Sequence, residues 1–309
     1  MTKKIDPAAK TPIPVYSKET GLGPVGKELA EFVIQFPSKE ELQEHYPSFY
    51  HPSLDPFITE EYMRNILSDV LSSYIVECLD NHIDDFKYNL CVDLGANVGT
   101  FSVLAGLYFH RVVAIEADPY TCDYARATID YNLKYNPSGF VDLLGYDQTN
   151  IELYNLACAA KAGDIASIYG SEDDLGSNMI YDDRSGLHQT SRRCMTIDFP
   201  AMQQLVGTKE IDYLKVDIEG SEYDFLLGQD LSHIKAIRME VHGTSDLKET
   251  NRKKNLLGKW IDQQGFYVSW IHDPAEFRSD NLMAVNRRFI TKERHENMLH
   301  ILQELGRFG

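Results

Sequence analysis

The sequence predicts an α/β protein with a mostly parallel, Rossmann-like sheet and helices on both faces. From about residue 87 onward, short apolar runs alternate with helical segments. Two of these runs end in a glycine turn that leads into a helix. Both observations are typical of βαβ units. The pattern is missing earlier in the chain, so we expect an N-terminal extension over residues 1–85, a main domain over 86–290 and a C-terminal helix over 291–309.

The N-terminal extension is predicted to be a leader followed by two helices. Residues 1–30 carry several prolines and no hydrophobic periodicity, which indicates an extended or disordered leader. Ser38 and Glu41 have the spacing of a capping box, so a short helix should begin there. A second helix is expected from Thr59 to Cys78, because its apolar residues recur with helical spacing.

The main domain is predicted to contain seven strands and one β insertion over residues 163–198. The last two strands should be antiparallel, because only a hairpin-length connection separates them. A closing helix follows near the C-terminus. The predicted strands are Leu90–Leu94, Val112–Glu116, Ile151–Cys158, Tyr213–Ile218, Ala236–Val241, Phe266–Ile271 and Leu282–Asn286.

The strongest local pattern is VDLGANVGTFS, in which an apolar strand runs through a glycine turn into a helix. Gly95 and Gly99 allow tight turning and close backbone approach at the carboxyl end of a strand, where open α/β sheets bind ligands. A dinucleotide site would have a second glycine where Asn97 stands. Asp93 suits a ligand with an ammonium or sulfonium group better than a diphosphate, and S-adenosylmethionine carries both groups.

Glu116 ends the second strand, where a carboxylate can accept hydrogen bonds from both hydroxyls of a ribose. This feature alone does not separate S-adenosylmethionine from a nicotinamide cofactor. A glycine turn can also serve only as a tight βα connection. The order of strand, turn, helix and second acidic strand end favours a cofactor site over that simpler reading.

A second pattern, LKVDIEGSE, is another strand that runs into a glycine turn and a helix. The next strand ends in MEVHG, so titratable side chains should meet at the carboxyl edge of the sheet if the two strands are neighbours. Such convergence favours chemistry, although an ionic cluster paired with Lys215 or Arg238 is the alternative. The converging residues are Asp217, Glu219, Glu240 and His242.

With these motifs the chain resembles the FkbM family of S-adenosylmethionine-dependent methyltransferases. The matching stretches are VDLGANVGTFS, VVAIEADP, LACAAKAGD, TIDF, LKVDIEGSE and MEVH, within about residues 88–290. The resemblance implies the class I methyltransferase fold, with seven strands of which the last is antiparallel. It also implies methyl transfer to oxygen, commonly to a hydroxyl of a sugar or secondary metabolite.

The same resemblance implies roles for individual residues. Asp217 and Glu219 would lie at the reaction centre, where convergence at the carboxyl edge of the sheet also places Glu240 and His242. Glu116 would hold the ribose of the cofactor, and the glycine turn would surround its methionine portion. The implied cofactor-binding residues are Asp93, Gly95, Ala96, Asn97, Gly99, Thr100, Glu116, Ala117 and Asp217.

Methyl transfer to an aliphatic hydroxyl needs help with the acceptor's proton, because that hydroxyl is barely ionised at neutral pH. A general base typically contributes about 10²- to 10⁴-fold. Asp217 or His242 is predicted to be the base, and Glu219 and Glu240 to orient the base or the substrate. In the alternative, the same four residues hold Mg²⁺ or Mn²⁺, which lowers the pKa of a bound hydroxyl.

Composition limits the partners. The net charge of −17 disfavours nucleic acid, so a small-molecule or glycan hydroxyl is the expected acceptor. Five separated cysteines without CxxC favour a reducing compartment. No apolar run is long enough to cross a bilayer, and the start has no apolar signal region, so we expect a cytoplasmic protein.

Three rival functions remain at the level of the sequence. An RNA 2'-O-methyltransferase would use a lysine-aspartate-lysine-glutamate set, which Lys87, Asp217, Lys235 and Glu240 loosely match. A binding module would keep the cofactor turn without catalysis. A nicotinamide-dependent oxidoreductase is disfavoured by the glycine spacing. The sequence leaves open the acceptor, metal dependence, the oligomeric state and the role of residues 1–85.

Overall fold

A seven-stranded sheet organises the part of the chain that the computed structural model describes. The predicted leader, the predicted helix from Thr59 to Cys78 and most of the C-terminal helix lie outside that part. The described residues are 35–50, 52, 58–59, 89–106, 109–134, 150–171, 174–179, 190–243, 246–271, 279–293 and 295–296.

Strands and helices alternate along the main domain, as the sequence predicts. The strands are β1 Leu90–Leu94, β2 Arg111–Glu116, β3 Asn150–Asn155, β4 Ala157–Cys158, β5 Ile165–Ser171, β6 Asp174–Met179, β7 Thr190–Ile197, β8 Ile211–Val216, β9 Ile234–His242, β10 Phe266–Ile271 and β11 Ser279–Asn286. The helices are α1 Lys39–His45, α2 Thr100–Gly106, α3 Pro119–Lys134, α4 Phe199–Val206, α5 Glu222–Leu226 and α6 Leu247–Gln263.

The strand order in the main sheet is β10-β11-β9-β8-β1-β2-β3. β11 runs antiparallel to both β9 and β10, and the other neighbouring pairs are parallel. The predicted fold class, including the antiparallel last strand, is confirmed. β1 lies between β8 and β2, so the order reverses there, and open α/β sheets bind ligands beyond the carboxyl ends of strands at such a point.

Two strand predictions need correction. The sequence predicts one strand over Ile151–Cys158, but the structure has β3 and β4, because the chain leaves the main sheet after Asn155 and pairs with β7. The strand predicted over Tyr213–Ile218 ends at Val216. The residues that follow Val216 therefore belong to a turn, and strand alternation does not set their directions.

The predicted β insertion forms a second sheet in the order β4-β7-β5-β6. β5 is antiparallel to β6 and to β7. Its buried side contributes Ala166, Ile168 and Cys194, which pack against Ala117 just beyond β2. The insertion thus lies beside the carboxyl end of β2.

The main core lies between one face of the large sheet and the helices α4, α5 and α6. Every residue of β1 and of β8 is buried. Phe199 of α4 meets Phe225 of α5 edge to face, with ring centroids 5.7 Å apart. No helix in the described part of the chain has the length and apolar character needed to cross a membrane.

α1 begins with the predicted capping box and packs against α3. The Glu41 backbone N–H donates to Ser38 Oγ, and the Ser38 N–H donates to a carboxylate oxygen of Glu41. Leu42 is fully buried in a cluster with Tyr124 and Ala127 of α3. This short piece of the predicted extension is therefore part of the packed structure around the main sheet.

Candidate functional site

The turn after β1 is built from residues in the left-handed backbone region. Gly95, Asn97 and Gly99 have φ values of 78°, 48° and 86°. Asparagine is one of the few residues other than glycine that adopt this conformation readily. Asn97 therefore continues the turn where a dinucleotide motif would have glycine.

Contacts within the protein require glycine at position 95 and leave little room for a side chain at position 99. A Cβ at Gly95 would lie 1.6 Å from the backbone oxygen of Asp217, and one at Gly99 would lie 3.2 Å from the backbone oxygen of Ala125 in α3. The Asp217 N–H also donates to the Leu94 carbonyl at 2.9 Å. The sequence predicts close backbone approach here, and the structure shows that the turn after β8 makes it.

Lys215 joins the two turns. Its buried ammonium donates to the Gly95 carbonyl at 2.5 Å and lies 3.3 Å from Asp93 Oδ1 and 3.5 Å from Asp217 Oδ2. Burial lowers the pKa of Lys215, but Asp93 and Asp217 raise it by more, to about 12. Sequence reasoning treated this lysine only as an alternative partner for the acidic residues. The available signal was its place two residues before Asp217, on the same side of the predicted strand.

Asp93 lies beneath the cofactor turn. It is fully buried, and Oδ2 accepts a hydrogen bond of 2.6 Å from the Ser102 hydroxyl. Burial raises its pKa, whereas Lys215 and Ser102 lower it. The structure thus places this carboxylate among internal partners, below the position that the resemblance implies for the methionine portion of the cofactor.

Glu116 lies at the end of β2 and bonds to the same turn. Its Oε2 accepts the Asn97 N–H and its Oε1 accepts the Asp118 N–H, both at 2.8 Å. Burial raises the pKa of Glu116 to about 7 despite these bonds. An ionised carboxylate has about four acceptor sites, so both oxygens retain capacity for ribose hydroxyls.

Polar atoms around the turn fit a polar cofactor. Asn97 Oδ1 and Thr100 Oγ1 are buried and have no hydrogen-bond partner among the described residues. Buried polar atoms are nearly always paired, so such atoms suggest a ligand or a water that satisfies them. Ala96 is also buried, and Ala117 packs against the β insertion.

The four predicted reaction-centre residues lie together at the carboxyl edge of β8 and β9. His242 Nε2 is 3.5 Å from Glu240 Oε1 and 3.6 Å from Glu219 Oε2. Asp217, Glu240 and His242 each offer one atom within 4.8 Å of the others. Two oxygen donors and one imidazole suit a hard divalent cation as well as proton transfer.

Glu222 is a site residue that sequence reasoning missed. Its Oε1 is 2.8 Å from His242 Nδ1 and accepts the Gly220 N–H at 3.0 Å. It is the last letter of LKVDIEGSE, at the first position of α5. The signal was its acidic side chain within the most specific motif, but nothing in the spacing alone indicates that it points to His242.

Electrostatics set the protonation of this cluster. Burial lowers the pKa of His242, but Glu222, Glu219 and Glu240 together raise it by more, to well above its usual value. Burial also raises the pKa of Glu219. His242 lowers this pKa, whereas the neighbouring carboxylates raise it further. A raised pKa favours the imidazolium form of His242, which weighs against its predicted role as the resting base.

The lysine-aspartate-lysine-glutamate set is not assembled in the described structure. Lys235 lies near the amino end of β9 and forms an ion pair with Asp212. Asp217 and Glu240 lie at the carboxyl ends of their strands, on the opposite edge of the sheet. Lys87 lies outside the described residues.

A curated protein matches part of the chain. AMB antimetabolite synthetase AmbE from Pseudomonas aeruginosa is 27% identical over 205 residues, which is 58% of this chain and 9% of that protein. The chain therefore spans only a small part of that relative's length.

Among solved structures, the S-adenosylmethionine-bound magnesium protoporphyrin IX methyltransferase from Synechocystis PCC 6803 is 10% identical and has a TM-score of 0.38. That comparison covers 79% of this chain and 96% of the other. A precorrin-6y C5,15-methyltransferase from Geobacter metallireducens is 12% identical with a TM-score of 0.31, covering 64% of this chain and 80% of the other.

The match to a family covers most of the chain. The methyltransferase FkbM domain matches residues 93–306, which include the turn after β1, the β insertion and the cluster at β8 and β9. The chain belongs to the FkbM family of S-adenosylmethionine-dependent methyltransferases.

Proposed function

We propose that the protein transfers a methyl group from S-adenosylmethionine to a hydroxyl of a sugar or a related small molecule. One observation carries the proposal: the cofactor turn and the titratable cluster share a backbone junction, in which the Asp217 N–H donates to the Leu94 carbonyl. A methyl donor and a hydroxyl acceptor must lie side by side for in-line transfer. Holding them in attack geometry can contribute about 7 to 11 kcal/mol.

The residues around the first turn fit the proposed donor, whose positively charged sulfur supplies the methyl group. Glu116 is the acceptor for ribose hydroxyls. Its Oε2 accepts the Asn97 N–H of that turn, and its Oε1 accepts the Asp118 N–H just beyond β2. Asn97 and Thr100 offer buried polar atoms to the rest of the ligand. Gly95, Ala96, Gly99 and Ala117 contribute backbone and small side chains, and Asp93 supports the turn from below.

Asp217 is the proposed general base. Its side chain is 26% exposed at the mouth of the site, and it already lies near Lys215. The raised pKa of His242 favours its protonated form, which can donate a hydrogen bond to the acceptor oxygen but has no lone pair to take a proton. Glu219 and Glu240 flank its Nε2 atom and orient the acceptor hydroxyl.

A divalent cation is the second proposal for the same groups. Once Nε2 of His242 has lost its proton, Asp217, Glu240 and His242 would bind Mg²⁺ or Mn²⁺, with Glu219 beside them, and the cation would lower the pKa of the acceptor hydroxyl. Methyl transfer that persists after exhaustive chelation would exclude this version. Loss of transfer that Mg²⁺ or Mn²⁺ restores would support it.

An acceptor screen with isotope-labelled S-adenosylmethionine tests the proposed function. We expect label in a free or polymeric sugar, and turnover lowered at least about 10²-fold by Asp217→Asn, the magnitude typical of a lost general base. Asp224→Asn is the matched control, because Asp224 is an exposed carboxylate of α5. Label that enters RNA instead, or Asp217→Asn with wild-type turnover, would contradict the proposal.

Calorimetry separates an enzyme from a binding module. We expect S-adenosylhomocysteine to bind and NAD to give no response. Binding of S-adenosylhomocysteine without labelling of any acceptor would favour the non-catalytic module. In such a module, Glu240→Gln would leave the binding unchanged.

A further inference from the structure

Glu222 holds the imidazole of His242 from the protein side. Its side chain is 2% exposed, while that of His242 is 16% exposed. A carboxylate can only accept hydrogen bonds, so the contact of 2.8 Å is donated by His242 Nδ1–H. The buried carboxylate thus lies behind the ring, and the ring reaches toward the mouth of the site.

This contact decides which ring nitrogen faces the site. Because Nδ1 is bonded to Glu222, Nε2 is the nitrogen near Glu219 and Glu240, at 3.6 and 3.5 Å. Both distances exceed those of an ordinary hydrogen bond. Nε2 therefore remains directed at the space between the carboxylates, where an acceptor oxygen could approach.

Glu222 is itself fixed by its surroundings. The same Oε1 atom accepts the Gly220 N–H at 3.0 Å, which ties the carboxylate to the turn after β8. Phe225 and Leu226, in the same helix, are buried in the main core. The carboxylate is therefore anchored at both its head group and its helix.

We propose that Glu222 is a positioning residue, which fixes the His242 ring with Nε2 facing the acceptor and influences methyl transfer only through that ring. The effect of Glu222 on methyl transfer rests on the proposed function. Its effect on the orientation of the His242 ring does not. Removal of the residue that holds a metal-binding imidazole by its other nitrogen typically costs about 10- to 100-fold in activity or metal affinity, and we expect an effect of the same order here.

Nitrogen-15 NMR of the full chain labelled at histidine tests the ring directly. We expect one Nδ1–H signal protected from exchange with water, which His242→Gln removes and thereby assigns. Glu222→Met, which cannot accept this bond, should abolish its protection, and Asp224→Asn should leave it unchanged. A protected Nδ1–H signal that survives in Glu222→Met would overturn the proposal.

Two further measurements guard against misfolding and against failure of the proposed function. If Glu222→Met does not fold, Glu222→Gln replaces it. Gln has the same shape but is a weaker acceptor, so the Nδ1–H signal should shift, and an unshifted signal would overturn the proposal.

S-adenosylhomocysteine binding, measured by calorimetry, should be equal in wild type and in these variants. A wild-type chain that fails to bind it would contradict the proposed function and leave the ring result standing.

Turnover of a labelled sugar gives the final comparison. Glu222→Met should lower turnover about 10- to 100-fold, and adding it to His242→Ala should cause no further loss. Effects that multiply in the double variant would show that Glu222 acts independently of His242, contrary to the proposal.

Discussion

Gly95 shows how a single residue holds two functional segments together. Its Cα lies so close to the turn after β8 that a Cβ would occupy the place of the Asp217 carbonyl oxygen. The glycine is therefore required by the contact between two turns, and by a φ of 78° that disfavours other residues.

Gly95→Ala is expected to destabilise the protein by more than about 3 kcal/mol, because overpacking against backbone adds to the left-handed penalty. Gly207→Ala is the matched control. Gly207 has a similar φ of 80° but nothing within 4 Å of its Cβ position, so it should lose only about 1 to 2 kcal/mol. Urea unfolding of both variants measures the difference, and equal losses would show that the close contact costs nothing.

Glu116 predicts a pH dependence of cofactor binding. Hydrogen bonds from both ribose hydroxyls require the carboxylate, and the raised pKa of about 7 means that this form is lost as the pH falls through neutrality. S-adenosylhomocysteine affinity should therefore rise about tenfold from about pH 6 to about pH 8. Calorimetry should show that this rise disappears in Glu116→Gln. A flat wild-type profile would argue against Glu116 as the ribose partner.

Among the elements, α1 is the part of the N-terminal extension whose packing is visible. Leu42 is fully buried against α3, so Leu42→Ala should lower the free energy of unfolding by about 2 to 5 kcal/mol. Gln43→Ala, at an exposed position of the same helix, should change it by less than about 0.5 kcal/mol. Similar thermal stabilities for the two variants would indicate that α1 does not contribute to the folded domain.

An ion pair links the β insertion to the cofactor side of the sheet, beside the apolar packing against Ala117. Arg192 of β7 contacts the carboxylate of Asp118, which is fully buried and also accepts the N–H groups of Tyr120 and Thr121 at the start of α3. Arg192→Met would leave this carboxylate without its cation, at an expected cost of about 3 kcal/mol in urea unfolding. Arg193→Met, at the exposed neighbouring position, should be nearly neutral. Equal effects would mean that the pair is not what stabilises the junction.

Hydrophobic periodicity and the order of motifs predicted the strands and helices well. They predicted the candidate functional site less completely. The order of strands and turns follows from apolar runs and glycines, which are local signals. The end of β8 at Val216 does not follow from local signals. The chain leaves the strand where the Asp217 N–H donates to the carbonyl of Leu94, a residue far away in sequence. For the same reason the sequence could not reveal that Glu222 contacts His242, since that contact depends on how α5 sits beside β9.

At the scale of the whole molecule, charge predicts which polymers the protein avoids. A net charge of −17 should prevent binding to RNA, whose affinity for proteins comes largely from phosphate contacts with lysine and arginine. We expect no retention of labelled RNA in a filter-binding assay even at low salt. Tight binding that weakens steeply with added salt would reopen the RNA methyltransferase interpretation.

The lysine between the two turns also bears on how such an enzyme can be altered. Lys215 contacts Gly95, Asp93 and Asp217 together, so one side chain links the proposed donor side to the proposed acceptor side. A chimera that takes only the segment after β8 from another methyltransferase would lose these shared contacts, even if each segment folds correctly in the protein it comes from. Redesign of acceptor preference would succeed more readily if both turns and this lysine were transplanted together.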